Sequence, residues 1–282
     1  MIERRELGRG AFVSSRTRGR PREQIVRLTA ANGRIAMYIE RARIDSGKPL
    51  LLLHGGGVAG WMWTSLREHL PPKFDLIVPD LPGHDRSSGD PYRSQPETVS
   101  TILDYLDAEV EGPVAVVGFS FGAQLAVHLA ARVPERVSHV TVISAQAIPS
   151  RFPRLTKSML SVAAPLAASP QFARMQAKEL FIPESQLDVY VRTSTTLSRR
   201  DLVGVVDDNI RFTPPAAWAD FGGSALILAG ATERGVIKRS AAVLRSALAG
   251  SALEIVEGCG HGIPLQRPAW LASRLAAQID IV

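Results

Sequence analysis

The sequence predicts an α/β fold: a mostly parallel central sheet with helices on both faces, interrupted once by an inserted helical cap. Three observations carry that prediction. Short runs that are apolar throughout, such as Pro49–Leu53 and Val114–Val117, alternate with segments whose apolar residues recur at helical spacing. Strands apolar on both faces belong to a parallel sheet covered on both sides. The strand runs then vanish between Ala145 and Ala217 before resuming, and a chain of 282 residues accommodates one such domain with an insertion.

Taken in order, Gln24–Ala30 and Arg34–Arg41 read as β-strands joined by an Asn32-Gly33 turn, a strong hairpin signal. Pro49–Leu53 reads as a strand, Trp63–Leu70 as a helix and Asp75–Pro79 as a strand. Helix Pro96–Glu109, strand Val114–Gly118, helix Phe121–Arg132 and strand Val137–Ser144 continue the alternation. The inserted segment carries prolines 149, 153, 165, 170, 183, 214 and 215 with helical spacings such as Leu155, Met159, Leu160 and Val162. Strand Ala225–Ala229, helix Lys238–Ala249, strand Leu253–Val256 and helix Ala269–Ile279 complete the domain. The predicted organisation is a basic flexible tail over 1–22, a core over 23–146 and 217–282, and a helical cap over 147–216.

Hydrophobic residues make up 45% and charged residues 21% of the chain, which excludes disordered, collagen-like and coiled-coil classes. No apolar run reaches the ~20 residues of a membrane helix. A single cysteine gives no internal disulfide, and the N-terminus lacks the apolar core of a secretory signal, so a cytoplasmic location is expected. The net charge of +6 is concentrated: residues 1–22 hold seven arginines and two acids, leaving the body close to neutral. A neutral body has no basic stripe for nucleic acid, so the expected partner is a small molecule, with no nucleic acid and no membrane.

Gly118-Phe119-Ser120-Phe121-Gly122 lies between a predicted strand and a predicted helix. In that context G-x-S-x-G is a nucleophile elbow. The turn is so sharp that only small residues two before and two after the serine can pass the neighbouring chain. It presents the Ser120 hydroxyl and aims a helix N-terminus at developing negative charge. Leu53-His54-Gly55-Gly56-Gly57 follows the strand that would neighbour this one, and its glycines let backbone N–H groups approach a substrate. The N–H groups of Gly56 and Phe121 are the expected oxyanion donors. His54, ending a buried strand, is expected to fix its loop by hydrogen bonds.

Together, His54–Gly57, Asp80-Leu81-Pro82-Gly83-His84, the Gly118–Gly122 elbow and Gly258-Cys259-Gly260-His261 resemble the α/β-hydrolase fold superfamily over residues ~24–282. Asp85 stands where that family usually has glycine. The resemblance implies a nucleophile, an acid after a later strand and a histidine near the C-terminus, which correspond here to Ser120, Glu233 and His261. Asp207 and Asp208 are the alternative acids. Cys259 reads as a small apolar filler. No cofactor and no metal are implied, since no cluster has ligand spacing and no glycine run matches a nucleotide loop. Apolar cap residues facing the elbow, Met159 and Phe181 among them, are expected to line an acyl or ring pocket, with Trp61 and Trp63 as a further wall.

The resemblance implies a cofactor-free serine hydrolase that cleaves a small apolar carboxylic ester or lactone through an acyl-enzyme. The same triad also serves hydrolysis of a carbon–carbon bond or an amide, and the fold also hosts ligand receptors and lyases. Arg151, Arg154, Arg192, Arg199 and Arg200 in the cap would suit the more polar substrates of the first alternative.

Overall fold

The computed structural model describes residues 2–6, 22–29, 35–44, 46–167 and 169–279. The described residues form a nine-stranded sheet. The strands are β1 (Ile2–Glu6), β2 (Arg22–Thr29), β3 (Ile35–Arg43), β4 (Lys48–Leu53), β5 (Phe74–Asp80), β6 (Val114–Phe119), β7 (Val137–Ile143), β8 (Ser224–Gly230) and β9 (Ala252–Val256). Their spatial order is β1-β2-β3-β5-β4-β6-β7-β8-β9. The first three junctions are antiparallel and all those from β5 to β9 are parallel. Every strand foreseen from the sequence is present, with ends shifted by a few residues. The Asn32-Gly33 turn lies outside the described residues.

The N-terminal assignment needs correction. Residues 2–6 were expected in a flexible tail, but they form β1, paired antiparallel with β2 in the register Ile2↔Leu28 and Arg4↔Val26. A short edge strand is held by backbone pairing, and its charged residues give no apolar alternation to read. Residues 7–21 lie outside the described residues.

Alternation along the central strands divides the core into two layers. In β4, Leu51 and Leu53 face one layer while Leu50 and Leu52 face the other; in β6, Val114 and Val116 oppose Ala115, Val117 and Phe119. The first layer is covered by α2 (Gln95–Glu109), α3 (Phe121–Arg132) and α8 (Gly235–Ala247), the second by α1 (Thr64–His69) and α10 (Pro268–Ile279). Each fully buried Leu, Val or Phe contributes on the order of 1.5–3 kcal/mol. A short helix, α9 (Ile263–Gln266), precedes α10. Between β7 and β8 run four helices, α4 (Pro153–Ala167), α5 (Pro170–Glu179), α6 (Leu187–Thr196) and α7 (Arg199–Arg211). Ser94 and Ser198 cap α2 and α7 by accepting the Glu97 and Asp201 N–H.

Burial of imidazoles gives this fold an acid-sensitive element. His139 on β7 is buried between Ser224 Oγ at 2.6 Å and Thr141 Oγ1 at 2.8 Å, and burial pushes its pKa down to about 4. The folded value lies below the ordinary 6.5, so the unfolded chain takes up the proton first. The His139 share of stability is therefore complete above about pH 6.5 and is lost as pH falls toward 4, amounting to roughly 2 kcal/mol by pH 5. Urea titrations at pH 7 and pH 5 should show this fall, reduced in His139→Gln. Equal midpoints for the wild type at both pH values would exclude it.

Candidate active site

Ser120 lies between β6 and α3 with φ 53° and ψ −112°, a conformation that costs an L-residue on the order of 1–3 kcal/mol. The surroundings enforce it. A Cβ on Gly118 would stand 2.3 Å from the Gly122 carbonyl oxygen, and one on Gly122 would stand 2.3 Å from that of Leu53. Only glycine at both positions lets the strand, the turn and α3 pass so closely. The Ser120 N–H donates to the Ile143 carbonyl at 2.8 Å, which ties the turn to β7.

The next two side chains come from distant loops. Val256 accepts the Ala231 N–H, while Cys259 accepts both the Thr232 N–H and the Thr232 hydroxyl. These bonds fasten the loop after β8 to the loop after β9, so that Glu233 and His261 meet. His261 Nδ1 lies 3.1 Å from Glu233 Oε1, and His261 Nε2 lies 3.1 Å from Ser120 Oγ. The Glu233 side chain is only 1% exposed, against 32% for His261. A buried carboxylate thus faces one ring nitrogen while the other faces the hydroxyl. The Phe119 ring packs 5.1 Å from the imidazole, centroid to centroid.

The glycine loop after β4 borders the same site. A Cβ on Gly56 would lie 3.9 Å from Phe121 Cβ, which brings the Gly56 backbone beside the start of α3. Among the described residues no acceptor takes the Gly56 or Phe121 N–H. His54 is wholly buried, its Nε2 accepting the Leu81 N–H at 2.8 Å and its Nδ1–H donating to the Gly55 carbonyl at 2.7 Å. Burial holds its pKa well below the ordinary value, which suits these roles of a neutral ring. His84 accepts the Gly57 N–H at 3.3 Å. Both histidines thus tie the glycine loop to residues 81–84, as expected for His54.

A strained serine on a strand–helix elbow, a histidine after the last strand and an acid after the one before it define a recognisable topology. A profile of the alpha/beta hydrolase family matches residues 50–274. The chain belongs to the alpha/beta hydrolase family. It is 35% identical over 109 residues to the lipase LipV of Mycobacterium tuberculosis, a stretch covering 39% of this chain and 41% of that one. It is 39% identical over 115 residues to a pimeloyl-[acyl-carrier protein] methyl ester esterase of Nitrosospira multiformis, covering 40% and 43%. The chain thus spans about two-fifths of the length of these curated relatives. In fold it is similar to an esterase from Exiguobacterium antarcticum, with TM-score 0.78 and 20% identity over 90% of this chain and 98% of that one. A hydrolase from Pseudomonas aeruginosa gives TM-score 0.79 at 17% identity over 90% and 98%.

Other parts of this alpha/beta hydrolase qualify the sequence reading. Asp85, where the family usually has glycine, has φ 39°, so the turn keeps a left-handed residue without a glycine. Asp207 is paired with Lys157 and Arg211, which hold its carboxyl below the usual range. Asp208 accepts the Tyr92 hydroxyl and the Gln95 N–H. Both alternative acids are therefore engaged away from His261. Cys259 is wholly buried, and burial pushes its thiol pKa up.

Trp61 is half-buried, its Nε1–H donating to Thr193 Oγ1 at 3.0 Å and its ring meeting Tyr190, so it joins the glycine-loop side to α6. Trp63 is a correction: it was expected in a pocket wall but is wholly buried in the core layer of Leu50, Leu52, Phe74 and Leu275. The single-turn helix Gly60–Trp63 leads straight into α1 and turns the ring inward. Met159 stands exposed on α4, beside the exposed Leu155 and Val162. Phe181 lies against Gly260 and Gly262, on either side of His261.

No sequence pattern marks Val205, whose Cγ1 would be 2.9 Å from a Cβ on Gly56 and which brings α7 onto the glycine loop. Phe119 occupies a variable position of the elbow pattern, yet strand alternation places it in the second core layer, where it reaches His261. Gln266 Oε1 accepts the Gly260 N–H at 2.9 Å, a contact no pattern announces.

Proposed function

We propose that this chain is a serine hydrolase of carboxylic esters or lactones with small apolar acyl or ring groups, acting through an acyl-enzyme on Ser120. The observation that carries this reading is the relay from Glu233 Oε1 through His261 to Ser120 Oγ, with both contacts at 3.1 Å, set on a strained elbow. His261 Nε2 takes the hydroxyl proton as Oγ attacks the carbonyl carbon. Glu233 holds Nδ1–H and stabilises the imidazolium. The N–H groups of Gly56 and Phe121 receive the oxyanion, at about 3–4 kcal/mol per donor. When the tetrahedral intermediate collapses, the carbon–oxygen bond breaks and His261 delivers its proton to the leaving alkoxide. A water deprotonated by His261 then attacks the acyl carbon, and Ser120 departs with the proton.

Relatives named as a lipase and as methyl ester esterases support the bond type. Residues 147–216, with their four helices, are read as a cap over this site, joined to the core through Trp61–Thr193 and Val205–Gly56. The exposed apolar row that includes Met159 is read as apolar surface for an acyl chain.

The test is a panel of p-nitrophenyl esters from acetate to decanoate, with simple lactones. Turnover with an optimum at short or medium chains is expected. A folded protein inert toward the whole panel would overturn the ester reading.

A further inference from the structure

We propose that Phe181 is a positioning residue for His261, so that the segment between β7 and β8 holds the base in register with Ser120; this rests on the Ser120–His261 reading above. Phe181 closes the C-terminus of α5. Its N–H donates to the Lys178 carbonyl at 3.1 Å and the Ile182 N–H donates to that of Ala177 at 2.9 Å, while its own φ is 58°. Helices commonly place glycine at this left-handed position, because a side chain there is disfavoured and a bulky one is an outlier. Burial does not account for the exception, since Phe181 is 40% exposed.

The surroundings of the ring do account for it. A Cβ on Gly260 would stand 2.7 Å from Phe181 Cε2 and 2.9 Å from Cζ; one on Gly262 would stand 3.2 Å from Phe181 Cβ and 2.7 Å from the Leu180 carbonyl oxygen. The residues on both sides of His261 thus carry no side chain where the aromatic side chain and its backbone need room. A large residue stands where glycine is usual, and glycines stand opposite it. The strained aromatic residue and the glycines opposite it fit one another through this contact, as strain held by its surroundings at a functional site does. The Phe119 ring meets the imidazole itself, Gln266 holds the Gly260 N–H and Cys259 is bonded to Thr232, so Phe181 adds a contact from the inserted helices to the loop that carries the base.

The experiment follows labelling by a small alkyl fluorophosphonate, which needs the Ser120–His261 pair but little of an acyl pocket. Ser120 Oγ bonds to phosphorus, the phosphorus–fluorine bond breaks, fluoride leaves and the hydroxyl proton passes to His261. Phe181→Gly should keep the wild-type Tm or exceed it, since glycine suits the backbone. Its labelling rate should fall about tenfold or more, with kcat on p-nitrophenyl acetate falling in parallel and KM staying within about threefold. Phe181→Tyr should restore both rates, and Phe181→Leu should label at an intermediate rate.

Labelling of Phe181→Gly at the wild-type rate would overturn the proposal, as would a loss confined to KM for long-chain esters, the mark of a pocket wall. If Phe181→Gly does not fold, Phe181→Leu decides by the same labelling rate, and wild-type speed there overturns the proposal. A wild type that takes up no label at Ser120 overturns the nucleophile reading and the Phe181 role with it.

Discussion

Ser120→Ala should lower kcat for ester hydrolysis on the order of 10⁵-fold or more while leaving the protein as stable as the wild type. The two halves of this expectation have separate origins. Among the described residues the hydroxyl has a single hydrogen-bond contact, His261 Nε2 at 3.1 Å, so removing it deletes little packing. The strained backbone is enforced by Gly118, Gly122 and the bond to Ile143, none of which depends on the oxygen. Chemistry, by contrast, loses the proposed nucleophile, and what would remain is the weak effect of the proposed oxyanion N–H groups on water. Glu233→Gln makes the graded comparison. The amide has the same shape but cannot hold the imidazole tautomer or its cationic form, so kcat should fall about 10³–10⁴-fold. Initial rates on one ester, with thermal melts on the same samples, read both variants. Near-normal turnover in Glu233→Gln would remove Glu233 from the relay, and normal turnover in Ser120→Ala would end the acyl-enzyme mechanism.

Legibility in the sequence followed the physics of each part. The parallel strands are buried on both faces, so they stand out as apolar runs, and β4 to β8 lie where those runs are. The elbow was legible because steric exclusion at Gly118 and Gly122 leaves one residue type permitted, and such a constraint shows in a single sequence. Glu233 and His261 were placed by resemblance, since nothing local marks two loops about thirty residues apart as neighbours. β1 was hidden because a charged edge strand needs only backbone partners. The burial of Trp63 is not legible, because proximity to the glycine loop along the chain says nothing about which way a helical turn points its ring. Val205 and Phe181 reach the site through the packing of the four inserted helices, where amphipathic spacing reveals a buried face but not the element it meets.

The second large effect concerns folding as much as catalysis. Gly122→Ala should destabilise the protein by more than about 4 kcal/mol, a size reached only when nothing nearby can yield. The new methyl would stand 2.3 Å from the Leu53 carbonyl oxygen and 2.4 Å from that of His54. Both are backbone atoms where β4 runs into the glycine loop, so neither can rotate aside as a side chain would. Relief requires α3 to lift from β4, which breaks the first core layer around Leu53, Phe121 and Leu125. Any chain that still folds would also displace the Gly56 N–H relative to Ser120, so residual protein should be inactive. Gly89→Ala is the matched control: among the described residues beyond its two chain neighbours, no atom lies within 4 Å of its Cβ position, and the change should stay within about 0.5 kcal/mol. Urea midpoints of the two variants make the comparison. A Gly122→Ala protein with wild-type midpoint and activity would mean that α3 does not press against β4 as described, and the steric account of the elbow would fall with it.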